Sequence, residues 1–164
     1  MTDILTTYYV YPTPYGPISI AASAKAVLRI ALGDCRLAGL RIPNEWSNLA
    51  ATELLEYFAG KRRTFTFPLD LAGTPFQRAV WEGLARVPYG ETVTATELAA
   101  AIGRAGTQRS VGLALRSCPA PIAVPTHRVV TAQGKPWGAG PAAQVRGALL
   151  RMERRALAEG KQEA

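Results

Sequence analysis

The sequence has little of the chemistry that metal sites and disulfide frameworks require. Its 164 residues contain two cysteines, Cys35 and Cys118, and a single histidine, His127. Two cysteines are too few for a disulfide framework or for a zinc site built on paired cysteines. One histidine likewise rules out a histidine-rich metal site. We therefore expect no metal and no cofactor.

Long apolar runs are also missing. No stretch approaches the roughly 20 apolar residues that a membrane span needs. Residues 1–6 have no basic segment ahead of an apolar one, as a secretory signal would. Hydrophobic residues make up 48% of the chain and charged residues 19%, which is typical of a globular protein. We expect a cytoplasmic protein with no membrane partner.

Positive charge is plentiful and unevenly placed. The formal net charge of the whole chain is +7. Residues 1–73 carry seven Lys and Arg against six Asp and Glu, a net of +1, whereas residues 74–164 carry twelve against six, a net of +6. This asymmetry favours a polyanionic partner for the C-terminal part, with nucleic acid as the leading candidate. The alternative is a charge that serves solubility alone.

The first part of the chain has the pattern of a small sheet with one helix. β-Branched and aromatic residues predict three strands, over 6–11, 18–22 and 27–32. Apolar residues at helical spacing follow over 46–59, and Gly60 ends them. A fourth strand is predicted over 63–69.

A boundary falls at Gly73, and the next residues are a strong helix start. Thr74 can cap the helix, Pro75 suits its first turn, and Gln77 can reach back as in a capping box. We expect this helix to end before the turn at Pro88.

The following stretch predicts a helix-turn-helix. Thr94-Ala95-Thr96-Glu97 is a second capping box, and it opens a short helix over 97–102. A tight turn over 103–106 contains glycine, and Thr107 can cap a second helix that runs to Arg116. Two helices joined by a short glycine-containing turn form the motif that many proteins use to bind DNA.

The second helix of this pair carries small side chains at Ser110, Gly112 and Ala114. Small side chains let a helix backbone approach another surface closely. That surface is either a neighbouring helix or the floor of a DNA groove, and the pattern leaves both open.

A proline-rich segment follows the two helices. Ile122-Ala123-Val124 is predicted as a short buried strand, and Pro125-Thr126-His127-Arg128 comes directly after it. A threonine beside a histidine is a candidate nucleophile with its base. The alternative is a structural histidine beside a threonine bonded to nearby backbone. Pro141 begins a final helix, and fraying is predicted after Leu157.

Several blocks of sequence together resemble one family, the O6-alkylguanine-DNA alkyltransferases, over about residues 73–153. The blocks are Gly73-Thr74-Pro75-Phe76-Gln77-Arg78-Ala79-Val80-Trp81, Val87-Pro88-Tyr89-Gly90-Glu91-Thr92, Glu97-Leu98-Ala99, Arg109-Ser110-Val111-Gly112 and Ile122-Ala123-Val124-Pro125-Thr126-His127-Arg128-Val129-Val130. The resemblance implies an α+β fold and a monomer. A small RNase H-like domain would cover 1–72, a mainly helical domain with a winged helix-turn-helix 73–160, and a frayed tail 161–164.

The resemblance also implies a mechanism and roles for individual residues. In that family a helix-turn-helix enters the DNA minor groove, the damaged guanine rotates into a pocket, and a cysteine accepts its alkyl group irreversibly. Arg109 matches the arginine that fills the gap left by the base, His127 the base that deprotonates the cysteine through water, and Glu153 the carboxylate that orients this histidine. The DNA-binding surface would further comprise Thr94, Ala95, Ser110, Gly112, Ala114, Arg116 and Arg128. The pocket would comprise Cys118, Val124, Pro125, Trp137, Ala139 and Gly140.

One departure from the family governs the predicted function. Thr126 stands where the family has its acceptor cysteine. Transfer is an attack on a saturated carbon by a soft thiolate, and an alcohol is a far weaker acid and a harder nucleophile. We therefore predict that Thr126 does not accept alkyl groups at a useful rate. Ala95, Cys118 and Ala139 also replace a tyrosine, an asparagine and an aromatic residue that the family usually has.

Four interpretations stay open. The first is a non-catalytic lesion binder, similar to the alkyltransferase-like proteins, that holds O6-alkylguanine in duplex DNA and passes it to downstream repair proteins. The second is an active alkyltransferase with Cys118 as a relocated acceptor. The third is a helix-turn-helix protein without lesion specificity, and the fourth is a structural relic that binds no DNA. The first interpretation is the one that the residues favour.

Overall fold

The structure is a computed structural model that describes residues 5–163, with side chains for residues 5–160. The chain divides into two units, Met1–Ala72 and Gly73–Ala164. In the described part of the chain, no helix combines the length and the apolar character that crossing a membrane requires.

An antiparallel sheet of three strands forms the first unit, in the order β1 (Thr7–Tyr11), β2 (Ile18–Ala22) and β3 (Val27–Leu32). All three predicted strands are confirmed, with β1 starting one residue later than expected. The central strand β2 is buried along its whole length, which explains its near-continuous apolar sequence. Gly16, at a φ of 95°, supplies the backbone conformation that the turn between β1 and β2 needs.

Helix α1 (Glu45–Phe58) packs on this sheet. Asn44 caps it, with its side chain accepting hydrogen bonds from the backbone N–H groups of Trp46 and Ser47. The Ser47 hydroxyl in turn accepts from the Asn44 N–H at 2.9 Å, which completes a capping box. The helix buries Leu54 and Tyr57. The predicted helix is confirmed, and the cap explains its earlier start.

The described residues 63–69 form no strand, so this prediction is wrong. The Thr66 N–H donates to the buried Glu53 carboxylate of α1 at 2.6 Å, and the Thr66 hydroxyl donates to its other oxygen. Pro68 has no N–H to give to a ladder. Leu69 pairs with Val27 as an isolated bridge. The segment is therefore fixed by a carboxylate on the helix and by a single bridge to β3, in place of a continuous strand ladder.

The second unit is mainly helical. Its elements are α2 (Pro75–Ala85), β4 (Val93–Thr94), α3 (Ala95–Ala101), α4 (Gln108–Arg116), a 3₁₀ turn (Thr126–Arg128), β5 (Val129–Val130) and α5 (Gly140–Glu163). The short strands β4 and β5 pair in parallel. The predicted helix-turn-helix corresponds to α3 and α4, which pack on each other and on α2.

The helix starts follow the capping predictions only in part. The box at Thr74 and Gln77 forms in full at the start of α2. Thr94 accepts a hydrogen bond from the Glu97 N–H at 3.1 Å, but the Glu97 carboxylate bonds the Thr94 hydroxyl and not its backbone. Helix α3 consequently starts at Ala95, before the predicted residue 97. Thr107 precedes α4 without a side-chain cap, because its hydroxyl donates to the Arg104 carbonyl at 2.6 Å.

The predicted strand over 122–124 is also wrong. The segment is a turn in which the Val124 N–H donates to the Ala120 carbonyl at 2.9 Å. Ile122 has a φ of 79°, in the left-handed region that a non-glycine residue rarely adopts. Pro121 and Pro125 flank the turn and lack the N–H groups that a ladder would use.

The final helix α5 begins at Gly140, with Pro141 in its first turn as predicted. It buries Leu149 and Leu150. The helix continues to Glu163, and Ala164 lies outside the described residues. Fraying after Leu157 stays a prediction.

Candidate functional site

A tight turn positions Thr126 and His127. Pro125 has a φ of −77° and a ψ of 63°, the geometry of an inverse γ-turn, and the Thr126 N–H closes it by donating to the Val124 carbonyl at 2.7 Å. The 3₁₀ turn that follows buries Thr126, His127 and Arg128. The sequence therefore places a hydroxyl and an imidazole side by side in a site screened from solvent.

His127 is held by a carboxylate on α5. Its Nε2 lies 2.6 Å from Glu153 Oε2, and both side chains are buried. Burial lowers the pKa of His127 below its usual 6.5, against the opposing effect of the hydrogen bond and charge of Glu153. The imidazole is therefore neutral at pH 7. Since Nε2 then donates its proton to Glu153, Nδ1 is the basic nitrogen and can accept a proton.

Glu153 in turn is fixed by two further groups. The Gly90 N–H donates to Oε1 at 2.8 Å. Arg128 donates from Nε to Oε1 at 3.0 Å and from Nη2 to Oε2 at 3.1 Å, while its Nη1 donates to the Val87 carbonyl at 2.8 Å. The buried carboxylate is thus paired and hydrogen-bonded, as a stable buried charge must be.

Arg128 is buried in an ion pair, which does not fit the DNA-binding role expected for it from the sequence. Only 7% of its surface is exposed, and its guanidinium binds Glu153 and Val87. The family resemblance placed Arg128 on the DNA-binding surface. The structure instead uses it to hold the carboxylate that holds His127.

Gly90 is required where it stands. Its φ is 80°, and a Cβ atom there would collide with the Leu157 side chain on α5. Sequence patterns alone assign no role to this glycine. Its place after Pro88 and Tyr89 indicated a turn, but not that the turn contacts the helix carrying Glu153.

Trp137, a predicted pocket residue, contacts Thr126 directly. Its indole Nε1 donates to the Thr126 carbonyl at 2.7 Å. The Arg146 guanidinium lies 3.5 Å from the centre of the indole ring and donates to the Trp137 carbonyl at 2.8 Å. Arg146 was missed from the sequence, although it precedes Glu153 by two helical turns of α5 and therefore shares its face.

The other predicted pocket residues differ in how far they are buried. Val124 and Pro125 are buried beside Thr126, whereas Ala139 and Gly140 are exposed. Cys118 is half-buried, and burial raises the pKa of its thiol to about 11 against a weaker backbone hydrogen bond at Ala120. Within residues 5–160, no hydrogen bond joins Cys118 to Thr126, and no group of three His, Cys, Asp or Glu side chains could hold a metal.

The predicted DNA-binding surface is only partly accessible. Arg109, Ser110 and Arg116 of α4 are exposed, and Gly112 is half-exposed. Ala114 is 1% exposed, and its carbonyl accepts a hydrogen bond from Trp81 Nε1 of α2 at 3.0 Å. Ala114 therefore packs in the helical core, and its assignment to the groove face is wrong.

Residues at the start of α3 have a mixed character. The Thr94 hydroxyl is used as a helix cap, and Ala95, the first residue of α3, is half-buried.

A helix-turn-helix with exposed arginines, in the same unit as a buried histidine–carboxylate pair, places the chain among DNA-binding proteins. Similar sequences and structures identify the family to which it belongs.

The chain belongs to the 6-O-methylguanine DNA methyltransferase family. The DNA-binding domain of that family matches residues 75–155, and its ribonuclease-like domain matches residues 6–71. Both the predicted family and the predicted α+β fold class are thereby confirmed. The family is one of DNA-binding repair methyltransferases.

Several relatives match nearly the whole chain. A constitutive methylated-DNA–protein-cysteine methyltransferase of Bacillus subtilis is 38% identical over 90% of this chain and 94% of its own length. A methylated-DNA–protein-cysteine methyltransferase of Methanosarcina barkeri is 36% identical over 89% and 96%. The crystal structure of Mycobacterium tuberculosis OGT in complex with DNA superposes with a TM-score of 0.84 at 36% identity, covering 92% of this chain and 94% of that one.

Proposed function

We propose that this chain recognises O6-alkylguanine in duplex DNA and binds it without accepting the alkyl group. One observation carries the proposal: the residue beside the buried His127–Glu153 pair is Thr126. The family resemblance puts the acceptor cysteine at this position. The relatives are named as methyltransferases, so the absence of transfer rests on the chemistry of this chain alone.

Threonine does not suit the reaction. In alkyl transfer the acceptor attacks a saturated carbon, the carbon–oxygen bond breaks, and the electron pair goes to O6 of guanine. His127 can take a proton through Nδ1, but it cannot make a secondary alcohol a soft nucleophile. Paired His and acidic side chains activate hydroxyls toward carbonyls, where oxyanion donors share the developing charge. An O-alkyl guanine offers no such carbonyl.

Neither cysteine of the chain is a convincing substitute. A thiol with a pKa of about 11, as in Cys118, is ionised to only about one part in ten thousand at pH 7. Cys35 is half-buried and belongs to the first unit, outside the helical unit that carries His127. The Cys118 thiol is therefore a poor nucleophile, and Cys35 lies in a different unit from His127.

Binding to DNA is supported by the exposed face of α4. Arg109 and Arg116 are exposed on this helix, while its opposite face is fixed to the core by Val111, Ala114 and Leu115. A similar protein, Mycobacterium tuberculosis OGT, is known in complex with DNA. In the proposal α4 enters the minor groove, Arg109 fills the gap that the rotated guanine leaves, and phosphate contacts supply most of the affinity.

The test combines binding and mass measurement on the purified chain. Two duplexes that differ only by one O6-methylguanine are titrated at several salt concentrations, and the intact protein mass is recorded after long incubation. We expect tighter binding to the damaged duplex and no added methyl group. Arg109→Ala should lose lesion preference more than overall affinity, whereas Arg29→Ala, an exposed arginine of β3 removed as a matched control, should keep both.

Two results would overturn the proposal in different ways. A methyl group gained on any residue of the chain would show a transferase. Equal affinity for the two duplexes would leave a helix-turn-helix protein without lesion specificity.

A further inference from the structure

Helix α4 exposes a leucine that the fold does not use. Leu113 is 59% exposed, although the helix has a well-formed buried face made of Val111, Ala114 and Leu115. A single exposed leucine is common on protein surfaces. This one differs because of the two features that accompany it on the same helix.

The first feature is its position between two arginines. Successive residues of an α-helix are rotated by about 100°, so residues three and four apart lie on one face. Leu113 follows Arg109 by four positions and precedes Arg116 by three. All three side chains are exposed. The outward face of α4 is therefore a leucine flanked by two cations.

The second feature is the glycine beside it. Gly112 lies inside α4 at an ordinary helical φ, and a Cβ atom added there would meet nothing within 4 Å. A glycine inside a helix is destabilising relative to alanine, and neither backbone geometry nor packing in the described chain requires it here. An external surface that approaches α4 closely would account for it.

We propose that Leu113 is a DNA-inserting side chain, an apolar wedge that enters the minor groove beside Arg109. The inference rests on the proposed binding of DNA through α4, but not on lesion preference. DNA is the partner because the flanking arginines complement the phosphates, while sugar walls and base faces offer the apolar surface that a leucine needs. Leucine is among the side chains with which minor-groove proteins unstack base steps.

The distance along α4 between Arg109 and Leu113 lets the two side chains enter the groove at different base steps. Four residues of helix rise about 6 Å, and base pairs are stacked about 3.4 Å apart. Leu113 would therefore reach the groove about two base steps from Arg109. The arginine would occupy the gap left by the rotated base, and the leucine would hold a neighbouring step open.

Salt dependence separates an apolar wedge from a charge contact. Leu113→Ala should weaken binding to both damaged and undamaged duplexes about tenfold, the loss expected for an apolar side chain that becomes buried on binding. The slope of log affinity against log salt should not change, because no phosphate contact is lost. Arg116→Ala should reduce that slope by about 1. Leu55→Ala, which removes a 42% exposed leucine of α1, should change neither quantity.

A fluorescent base reports the insertion itself. A duplex with 2-aminopurine two steps from the target guanine should brighten when the wild-type chain binds, since unstacking relieves its quenching, and should brighten less with Leu113→Ala. Leu113→Met should retain most of the affinity and most of the fluorescence increase, because it keeps an apolar side chain. Leu113→Gln should retain neither. Thermal melting of each variant confirms that the fold is intact.

The outcomes distinguish this inference from the proposed function. If Leu113→Ala binds within about twofold of the wild type, or lowers the salt slope as Arg116→Ala does, the wedge is refuted. If the wild type binds both duplexes equally while Leu113→Ala weakens both at an unchanged slope, lesion recognition fails and the wedge stands. Absence of any DNA binding at low salt refutes both.

Discussion

Replacing Thr126 with cysteine should turn the chain into an alkyl acceptor. The histidine that would take the thiol proton is already in place, since His127 is neutral, buried and held by Glu153 at 2.6 Å. The change exchanges an oxygen for a sulfur and removes one methyl group. Because Thr126 is 3% exposed, we expect a loss of about 1 kcal/mol in the free energy of unfolding.

The expected gain in reactivity is far larger than this loss. A thiol with a pKa of about 8.5 is roughly 3% ionised at pH 7. A hydroxyl that ionises like water is a far weaker acid, and only about one part in 10⁹ is the anion at pH 7. The nucleophilic anion is therefore about 10⁷ times more abundant, which corresponds to about 10 kcal/mol. The greater nucleophilicity of sulfur adds to this difference.

The assay is the intact mass of the protein after incubation with a duplex containing O6-methylguanine. Thr126→Cys should gain one methyl group on the peptide that contains residue 126, and adding His127→Asn should slow the gain. Thr126→Ser is the matched control, because it removes the same methyl group but keeps the oxygen, and it should stay inactive. Transfer by the wild type or by Thr126→Ser would refute the reasoning. A folded, lesion-binding Thr126→Cys that remains inert would show that other departures in the site abolish transfer.

Three further predictions concern the surroundings of the site. His127 is the only histidine of the chain, and its pKa is lowered by burial. The unfolded chain therefore takes up a proton below about pH 6.5 that the folded chain does not, so stability should fall by up to about 1.4 kcal/mol between pH 7.5 and 5.5. Urea unfolding at the two pH values measures this, and the step should be absent in His127→Asn. Gly90→Ala should lower the free energy of unfolding by about 1–3 kcal/mol because of its φ of 80° and the collision with Leu157; an unchanged melting temperature would contradict the contact. Cys118, with a thiol pKa raised to about 11, should react with iodoacetamide far more slowly at pH 7 than after unfolding in urea; equal rates would show an accessible thiolate.

The elements that were predicted correctly are those whose boundaries depend on neighbouring residues in the sequence. The start of α2 follows from Thr74, Pro75 and Gln77, which act on each other within one helical turn. Of the two strands that were predicted wrongly, the one over 63–69 is absent for a non-local reason. The Thr66 N–H bonds Glu53, thirteen residues earlier in the chain, and this partner could not be inferred from the apolar pattern of 63–69. Over 122–124 the flanking prolines carried the contrary signal, which outweighs the β-branched residues.

In the candidate site, too, the residues that are close in the sequence were predicted and the distant partners were not. Thr126 and His127 are neighbours in the sequence, so the motif alone placed them together, and the family resemblance added Glu153. The partners that fix this carboxylate are distant, since Arg128 lies 25 residues before it and Gly90 lies 63 residues before it. Arg128 illustrates the limit: a basic residue next to a candidate site is equally consistent with a phosphate contact and with a buried ion pair. Only burial decides between them.

The same contacts show why an intact histidine–carboxylate pair is weak evidence for catalysis in this chain. Glu153 on α5 binds His127 and Arg128 of the 3₁₀ turn and the Gly90 N–H, and Arg128 also binds Val87. The cluster therefore ties α5 to the segment just before β4 and the helix-turn-helix. Removing Glu153 or Arg128 would leave the other as an unpaired buried charge, which typically costs about 3–5 kcal/mol. A protein that only binds DNA needs this cluster for its fold as much as a transferase does. Residue 126 is different: the contacts described for it are made by its backbone, through the N–H to Val124 and the carbonyl to Trp137. These contacts do not fix the identity of its side chain, and the proposal that this chain binds DNA without alkyl transfer rests on the threonine at this position.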